Sequence, residues 1–452
     1  MNLQEAYEEL DLNYYNDKYL TLKEVEQIYK KLAKQYHPDM NINMPEYLQR
    51  LASEKFQRIN EAMEIIREEL ELNEEKLQIE LEEREKIAKE LYNKGLEYYI
   101  EENYQEAYYW WKKSAEQGNS SAQNNLGVLY QNGLGVNQDY REAFKWFKKS
   151  AEQGSSSAQY SLGFLYERGL GVEQDHKEAY YWWKKSAEQG DSSAQNGLGV
   201  LYAKGYGVEQ DYEKTFYWWK KSAEQGISMA QNNLGFLYER GLGVAQDYQE
   251  AFYWYKKSAE QGNLDAQSKL GNFYVNGYGV EQDYREAYYW YKKSAEQGNL
   301  DDQVILGNLY RDGKGVAQDY QEAFYWYKKS AEQGNSGAQS NLGNLYRDGK
   351  GVAQDYQEAY YWYKKSAEQR NVFAQNNLGI LYENGLGVEQ DYKEALYWYK
   401  KAASWYRLLA NWEEEDVQFK LGESYENGLG VEKDLNKAIE CYKKVAKSVT
   451  II

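Results

Sequence analysis

Residues with chemistry to offer are scarce in this chain. It holds two histidines and one cysteine in 452 residues, and one histidine stands in "QYHPDM", where His37, Pro38 and Asp39 follow three lysines, Lys30, Lys31 and Lys34. An imidazole next to a carboxylate suits proton transfer or metal ligation. Neither fits the surroundings. No second histidine or cysteine lies within ligand spacing, so no metal is expected. His176 replaces a tyrosine in one copy of a repeat, which leaves no Ser-His-Asp or Cys-His set to assemble. The recurring "GLGV" lacks a third glycine at dinucleotide spacing, a following Lys-Ser/Thr and a preceding strand, so it reads as a turn. Paired carboxylates fall at capping or solvated positions. The expectation is a chain that is no enzyme and needs no cofactor. Taken alone, "HPD" is a helix stop, because a proline biases the residue before it away from helical geometry.

Its flanks change that reading. Thr21 and Glu24 make a capping box ahead of "LKEVEQIYKKLAKQY", and Pro38 ends that helix. Beyond it, "YLQRLASEKFQRINEAMEIIREEL" carries Leu48, Leu51, Phe56, Ile59, Met63 and Ile66 at helical spacing. Two antiparallel helices joined by a loop that holds "HPD" are predicted over residues 1–70. Through "YEELDL", "IYKKLAKQYHPD" and "EKFQRINEAMEII" this segment resembles the J-domain of DnaJ-type co-chaperones. The resemblance implies that His37, Pro38 and Asp39 trigger ATP hydrolysis by a DnaK-type heat-shock chaperone. It also implies that Lys30, Lys31 and Lys34 form the basic face that engages it, over a small core of Tyr7, Leu10, Leu32, Phe56 and Ile59. Two departures stand out: a long connector, "DLNYYNDKYLTL", and Met40 where a lysine is usual.

The rest of the chain is periodic. Leu126, Leu162, Leu198, Leu234, Leu270, Leu306, Leu342 and Leu378 precede glycines at intervals of 36 residues, and Leu421 opens a ninth unit. In the unit "SAQNNLGVLYQNGLGVNQDYREAFKWFKKSAEQG", Ala122, Leu126, Leu129 and Tyr130 share one helical face. Tyr140, Ala143, Phe144, Phe147 and Ala151 share another, with Trp146 at its edge. Asn119 or Ser120 with Gln123, and Asp139 with Glu142, have capping-box spacing. Each hairpin can bury its stripe only against the next, which predicts an all-α chain: a helical bundle followed by a right-handed α-solenoid. The motif "AQ..LG.LY..G.GV.QDY.EA..W..K.AEQG" resembles the Sel-1-like repeat, a relative of the tetratricopeptide repeat. The predicted divisions are a J-domain at 1–70, an acidic helical connector at 71–90, a short tetratricopeptide-like opening unit at 91–118, nine repeats at 119–446 and a tail at 447–452. A longer second helix is expected near 402–420. Arg370 interrupts a glycine series, at Gly118, Gly154, Gly190, Gly226, Gly262, Gly298 and Gly334, that ends the second helices.

Composition narrows the partners. Asp and Glu number 72 against 54 Lys and Arg, a net charge of −18 that argues against nucleic acid or an anionic membrane. The start lacks the basic and apolar regions of a signal peptide, no apolar run spans a bilayer, and a single cysteine suits a reducing compartment, so a cytoplasmic protein is expected. The 49 tyrosines, 14 tryptophans and 11 phenylalanines supply ample rings to bury. Two residues past each "LG" leucine, an apolar tract with Phe164 and Phe236 gives way to an asparagine ladder, Asn272, Asn308 and Asn344. With Tyr160 as a further apolar contact and Arg311 and Arg347 as carboxylate-binding forks, these positions predict a groove for an unidentified protein or peptide client. Duplicated repeats drifting at unconstrained surface positions would give the same pattern. A column of tyrosines, among them Tyr181, Tyr217 and Tyr253, is either a recognition strip or a set of rings stacked along neighbouring second helices. The function expected is a co-chaperone whose solenoid selects the client. The alternative is a scaffold or adaptor whose J-like bundle only docks.

Overall fold

The computed structural model describes residues 1–17, 20–410, 413–428 and 432–447, and among these every regular element is helical. The chain divides into two compact units, 1–182 and 183–452.

In the first unit, α1 (Leu3–Glu9) is capped by Asn2 in a reciprocal box with Glu5. A single turn, α2 (Tyr14–Asp17), leads to α3 (Leu22–Tyr36), where Thr21 and Glu24 make the predicted box. After a 3₁₀ turn at Pro38–Met40 comes α4 (Glu46–Ile100), a helix of 55 residues. Ala6, Tyr7, Leu10, Val25, Ile59, Ala62, Met63 and Ile66 form the core between α1, α3 and α4. Leu32 only borders that core, and Phe56 lies outside it, against His37. Glu9, nearly buried, is held by Lys55 and by Arg58 at 2.8 Å, so its charge is paired.

The connector and the last J-module helix are one element. Residues 71–87 of α4 are exposed on every side, held helical by a run of Glu, Lys, Gln, Leu and Ile without Gly or Pro. From Ala88 onward α4 becomes the first helix of a hairpin with α5 (Tyr104–Glu116). Ser114 Oγ donates to Ala88 O at 2.6 Å, and a Cβ at Gly95 would lie 2.4 Å from the Trp111 ring.

Each later hairpin follows one grammar, seen in α6 (Ser120–Asn132) and α7 (Tyr140–Glu152). Ala122, Leu126, Leu129, Ala143, Phe147 and Ala151 are buried, while Tyr130, Tyr140 and Phe144 lie at the margin. Gly127 is needed because a Cβ there would meet the Phe147 ring at 2.5 Å. Gly135, at φ +69°, lets the loop approach the Tyr104 carbonyl, which a Cβ would strike at 2.4 Å. The capping boxes are only half made. Asn119 and Asp139 cap as predicted, but Asp139 N donates to Tyr130 O. Gln123 is buried instead: its Nε2 donates to Ala115 O and its Oε1 accepts from Gln153. The Gln pair recurs at Gln195–Gln225, Gln231–Gln261, Gln267–Gln297 and Gln339–Gln369, and it satisfies polar groups that burial would otherwise strand.

In the second unit the same hairpins run from Ser192–Lys204 to Leu435–Lys447, and Tyr392–Ala410 is the longer second helix expected there. Arg370 keeps the left-handed turn of the glycine series, at φ +68°, with the usual bond from its N–H to Ala367 O. For a residue with a side chain this costs about 1 kcal/mol. Asp302 is a second local departure. It is fully buried where other repeats have Ala266 or Ala338; Ser268 donates to Oδ1 at 2.9 Å, and Oδ2 has no hydrogen-bond partner among the described residues.

Candidate functional site

Pro38 ends α3 and, with Asp39 and Met40, makes the exposed turn beyond it. Three contacts fix His37 there. Its Nδ1 accepts from Asp39 N at 3.2 Å and lies 3.7 Å from Asp39 Oδ2, and its ring meets Phe56 edge-on at a centroid distance of 5.1 Å. The backbone is clamped from below: Asn41, 6% exposed, donates to Gln35 O and to His37 O. The tripeptide is thus a rigid protrusion with Pro38 and Asp39 in solvent. Lys30, Lys31 and Lys34 are all exposed on α3, with Lys30 3.7 Å from Glu26. Met40, 64% exposed, adds an apolar tip to this surface.

The outward positions of the repeats fall into two shallow clefts in the second unit. One, of about 370 Å³, brings Phe236 and Asn272 together with Lys269; the other, of about 430 Å³, gathers Arg311, Asn344 and Arg347. Tyr160 and Phe164 are half-buried in the first unit. Most polar groups of the ladder are already engaged. Asn308 Oδ1 accepts from Tyr327 OH and Asn344 Oδ1 from Tyr363 OH, both at 2.7 Å; each also accepts from the next repeat, from Asn341 and Asn377. Arg311 forks onto its own neighbour Asp312, while Arg347 donates one bond to Asp348 and another to Asn377 of the next repeat. The expected carboxylate forks therefore hold a carboxylate of their own. Asn272 Nδ2 donates to Ser268 O, and its backbone carbonyl accepts from Asn276 Nδ2.

Buried rings explain two of the three ladder residues, Asn308 and Asn344. Tyr255, Tyr327, Tyr363, Tyr399 and Tyr442 press onto the "LG" glycines, and burial pushes their phenols well above the usual range, so they remain donors. Each needs an acceptor. Asn308 and Asn344 supply it in two repeats, and Glu239, Glu383 and Glu426 in three others. Where the ring is Trp219, its Nε1 bonds a backbone carbonyl, Asn196 O, and the outward residue is Val200. In these repeats the sequence pairs a tyrosine with a polar outward residue of the same repeat, whereas Asn272, in the repeat of Tyr291, bonds Ser268 O instead.

The tyrosine column is about half exposed. Its rings do not stack along neighbouring helices: Tyr217, Tyr253, Tyr289, Tyr325, Tyr361 and Tyr397 each meet the following tryptophan edge-on, at 4.9–5.1 Å. A lysine four residues on sits over several of them, as Lys257 does over Tyr253 at 4.6 Å.

Fold and site together define a J-domain protein with an α-solenoid of two-helix repeats. The DnaJ domain matches residues 5–71, and the Sel1 repeat matches ten segments from 86–119 to 416–448, the first covering the predicted opening unit. The chain belongs to the Sel1 repeat family. A protective antigen from uropathogenic Escherichia coli strains, displaying an SLR fold, is 33% identical with a TM-score of 0.66, the match covering 100% of this chain and 90% of the antigen. A Sel1 repeat protein from Oxalobacter formigenes is also 33% identical, over 53% of this chain and 96% of its own, with a TM-score of 0.49. No curated protein matches the chain. Among the described residues no helix is long and apolar enough to cross a membrane, and no group of His, Cys, Asp and Glu could hold a metal.

Proposed function

We propose that this protein is a co-chaperone that stimulates ATP hydrolysis by a DnaK-type heat-shock chaperone and presents clients through its repeats. The observation that carries this reading is the His37-Pro38-Asp39 turn, anchored at His37 and exposed at Pro38 and Asp39, at the end of the lysine-bearing helix α3. A trigger must be preorganised, and His37 is held by Asp39 N–H on one side and the Phe56 ring on the other. Lys30, Lys31 and Lys34 steer an acidic partner surface toward it. The chain itself performs no chemistry and takes no cofactor.

Clients bind the faces of the first helices. Phe236, 38% exposed, supplies an apolar contact in its cleft, and the Arg311–Asn344–Arg347 cleft supplies a polar one. Because Asn308 and Asn344 serve the fold, recognition there relies on groove shape and apolar contact more than on a carboxamide ladder. Single-turnover ATP hydrolysis by the host's DnaK-type chaperone tests the reading: the wild-type chain accelerates it, and His37→Gln does not.

A further inference from the structure

A third cleft lies in the second unit. Between the helices Tyr356–Glu368 and Tyr392–Ala410 is a recess of about 610 Å³, lined by Glu368, Arg370, Gln375, Tyr397, Trp398 and Lys401. That volume falls in the range of ligand-binding sites. Its walls are aromatic and its rim is cationic: Lys401 Nζ lies 4.4 Å from the centroid of the Tyr397 ring and 5.1 Å from that of Trp398.

Arg370 sets this recess apart. Seven other second helices close with glycine at the same left-handed position, where a Cβ would meet nothing within 4 Å. Only backbone strain therefore opposes a side chain there, and this copy bears it without changing the turn. Among the described residues the Arg370 guanidinium has neither a hydrogen-bond nor an ion-pair partner. In this respect it differs from Arg311 and Arg347, which pair with Asp312 and Asp348. A residue that strains the backbone and stabilises nothing within the fold points to something outside it. Among the described residues that line the recess, Glu368 is the only carboxylate, beside Arg370 and Lys401.

We propose that this recess binds a carboxylate-bearing peptide. Arg370 takes the carboxylate in its planar fork, and Tyr397 and Trp398 receive an adjacent apolar side chain. The site is independent of the J module, so it stands or falls separately from ATPase stimulation.

The test uses the full chain and a fluorescein-labelled octapeptide of alternating glutamate and phenylalanine, followed by fluorescence anisotropy. Arg370→Gly restores the glycine of this chain's other repeats and relieves the strain, so it folds at least as well as the wild type, as its thermal unfolding will verify. Binding at least tenfold weaker in Arg370→Gly, and equally weak binding of a glutamine-for-glutamate peptide to the wild type, is expected. Equal affinity of the two proteins, equal affinity for the glutamine peptide, or displacement by inorganic phosphate at the peptide's own concentration would overturn the proposal. So would an absence of binding by the wild type at millimolar peptide.

Discussion

Asn344 shows how a residue that looks like a ligand contact can belong to the core. Its oxygen accepts from Tyr363 OH at 2.7 Å and from Asn377 at 3.1 Å, so removing it strands a buried phenol. Asn344→Ala is expected to destabilise the solenoid by about 1–3 kcal/mol, and Tyr363→Phe in the same chain to recover part of that loss. A double-mutant cycle by chemical denaturation checks the coupling. Asp302 is the opposite case, a buried carboxyl with an unpaired oxygen. Burial holds it above the usual carboxylate range, with the Ser294 and Ser268 hydroxyls opposing and Asp301 and Asp265 adding to the effect. Its folded-state pKa is thus above its unfolded value, so the folded chain binds the proton more tightly. Stability is therefore greatest below the ordinary carboxylate pKa and falls as pH rises through the raised one. Asp302→Ala, which restores the repeat's alanine, is expected to raise stability at neutral pH by about 1–3 kcal/mol and to flatten that dependence, as denaturation midpoints across pH will report. Neither role was visible from position alone. Hydropathy spacing says which side chains point outward, but it does not say that a phenol reaches the same place from the partner helix.

At the scale of elements, glycine positions and caps were readable because backbone geometry demands particular residues. Two glycines with left-handed φ differ in what surrounds them. A Cβ at Gly118 meets nothing within 4 Å, whereas at Gly135 it meets the Tyr104 carbonyl at 2.4 Å. Gly118→Ala should cost about 1 kcal/mol, and Gly135→Ala clearly more, because the loop must retreat from backbone. The fusion of connector and repeat in α4 was less legible. Acidic composition indicated a helix over 71–90, but only Ala88 and Gly95 packing on α5 make it one element from Glu46 to Ile100. Residues 71–87 are exposed, and Arg84, which donates to Gln117 and Glu116 O, is their tie to α5, so the stretch before it is held mainly by helix propensity and Gln78→Pro should break it. Electron-spin distances between labels at Lys23 and Lys113 are expected to broaden in this variant while the helix content of the repeats is unchanged.

For the whole molecule, repetition carried most of the information. A 36-residue period fixes hairpin after hairpin, since each unit must bury its stripe on the next, and a fold built that way is legible without any long-range inference. The J module was legible for a different reason, because its tripeptide needs a basic helix before it and an apolar one after it. What the period hides is each copy's particular duty, as Asn308, Asp302 and Arg370 show. The central claim is that the His37 turn drives a chaperone's ATPase while the lysine face governs encounter. It is tested most directly by titrating the full chain into single-turnover hydrolysis by the host's DnaK-type chaperone. The wild type should stimulate at least tenfold. Replacement of Lys30, Lys31 and Lys34 by glutamate should shift the half-maximal concentration upward, the more so at low salt, and His37→Gln should abolish the maximum itself. Stimulation by His37→Gln equal to that of the wild type, or none by the wild type, would contradict the account.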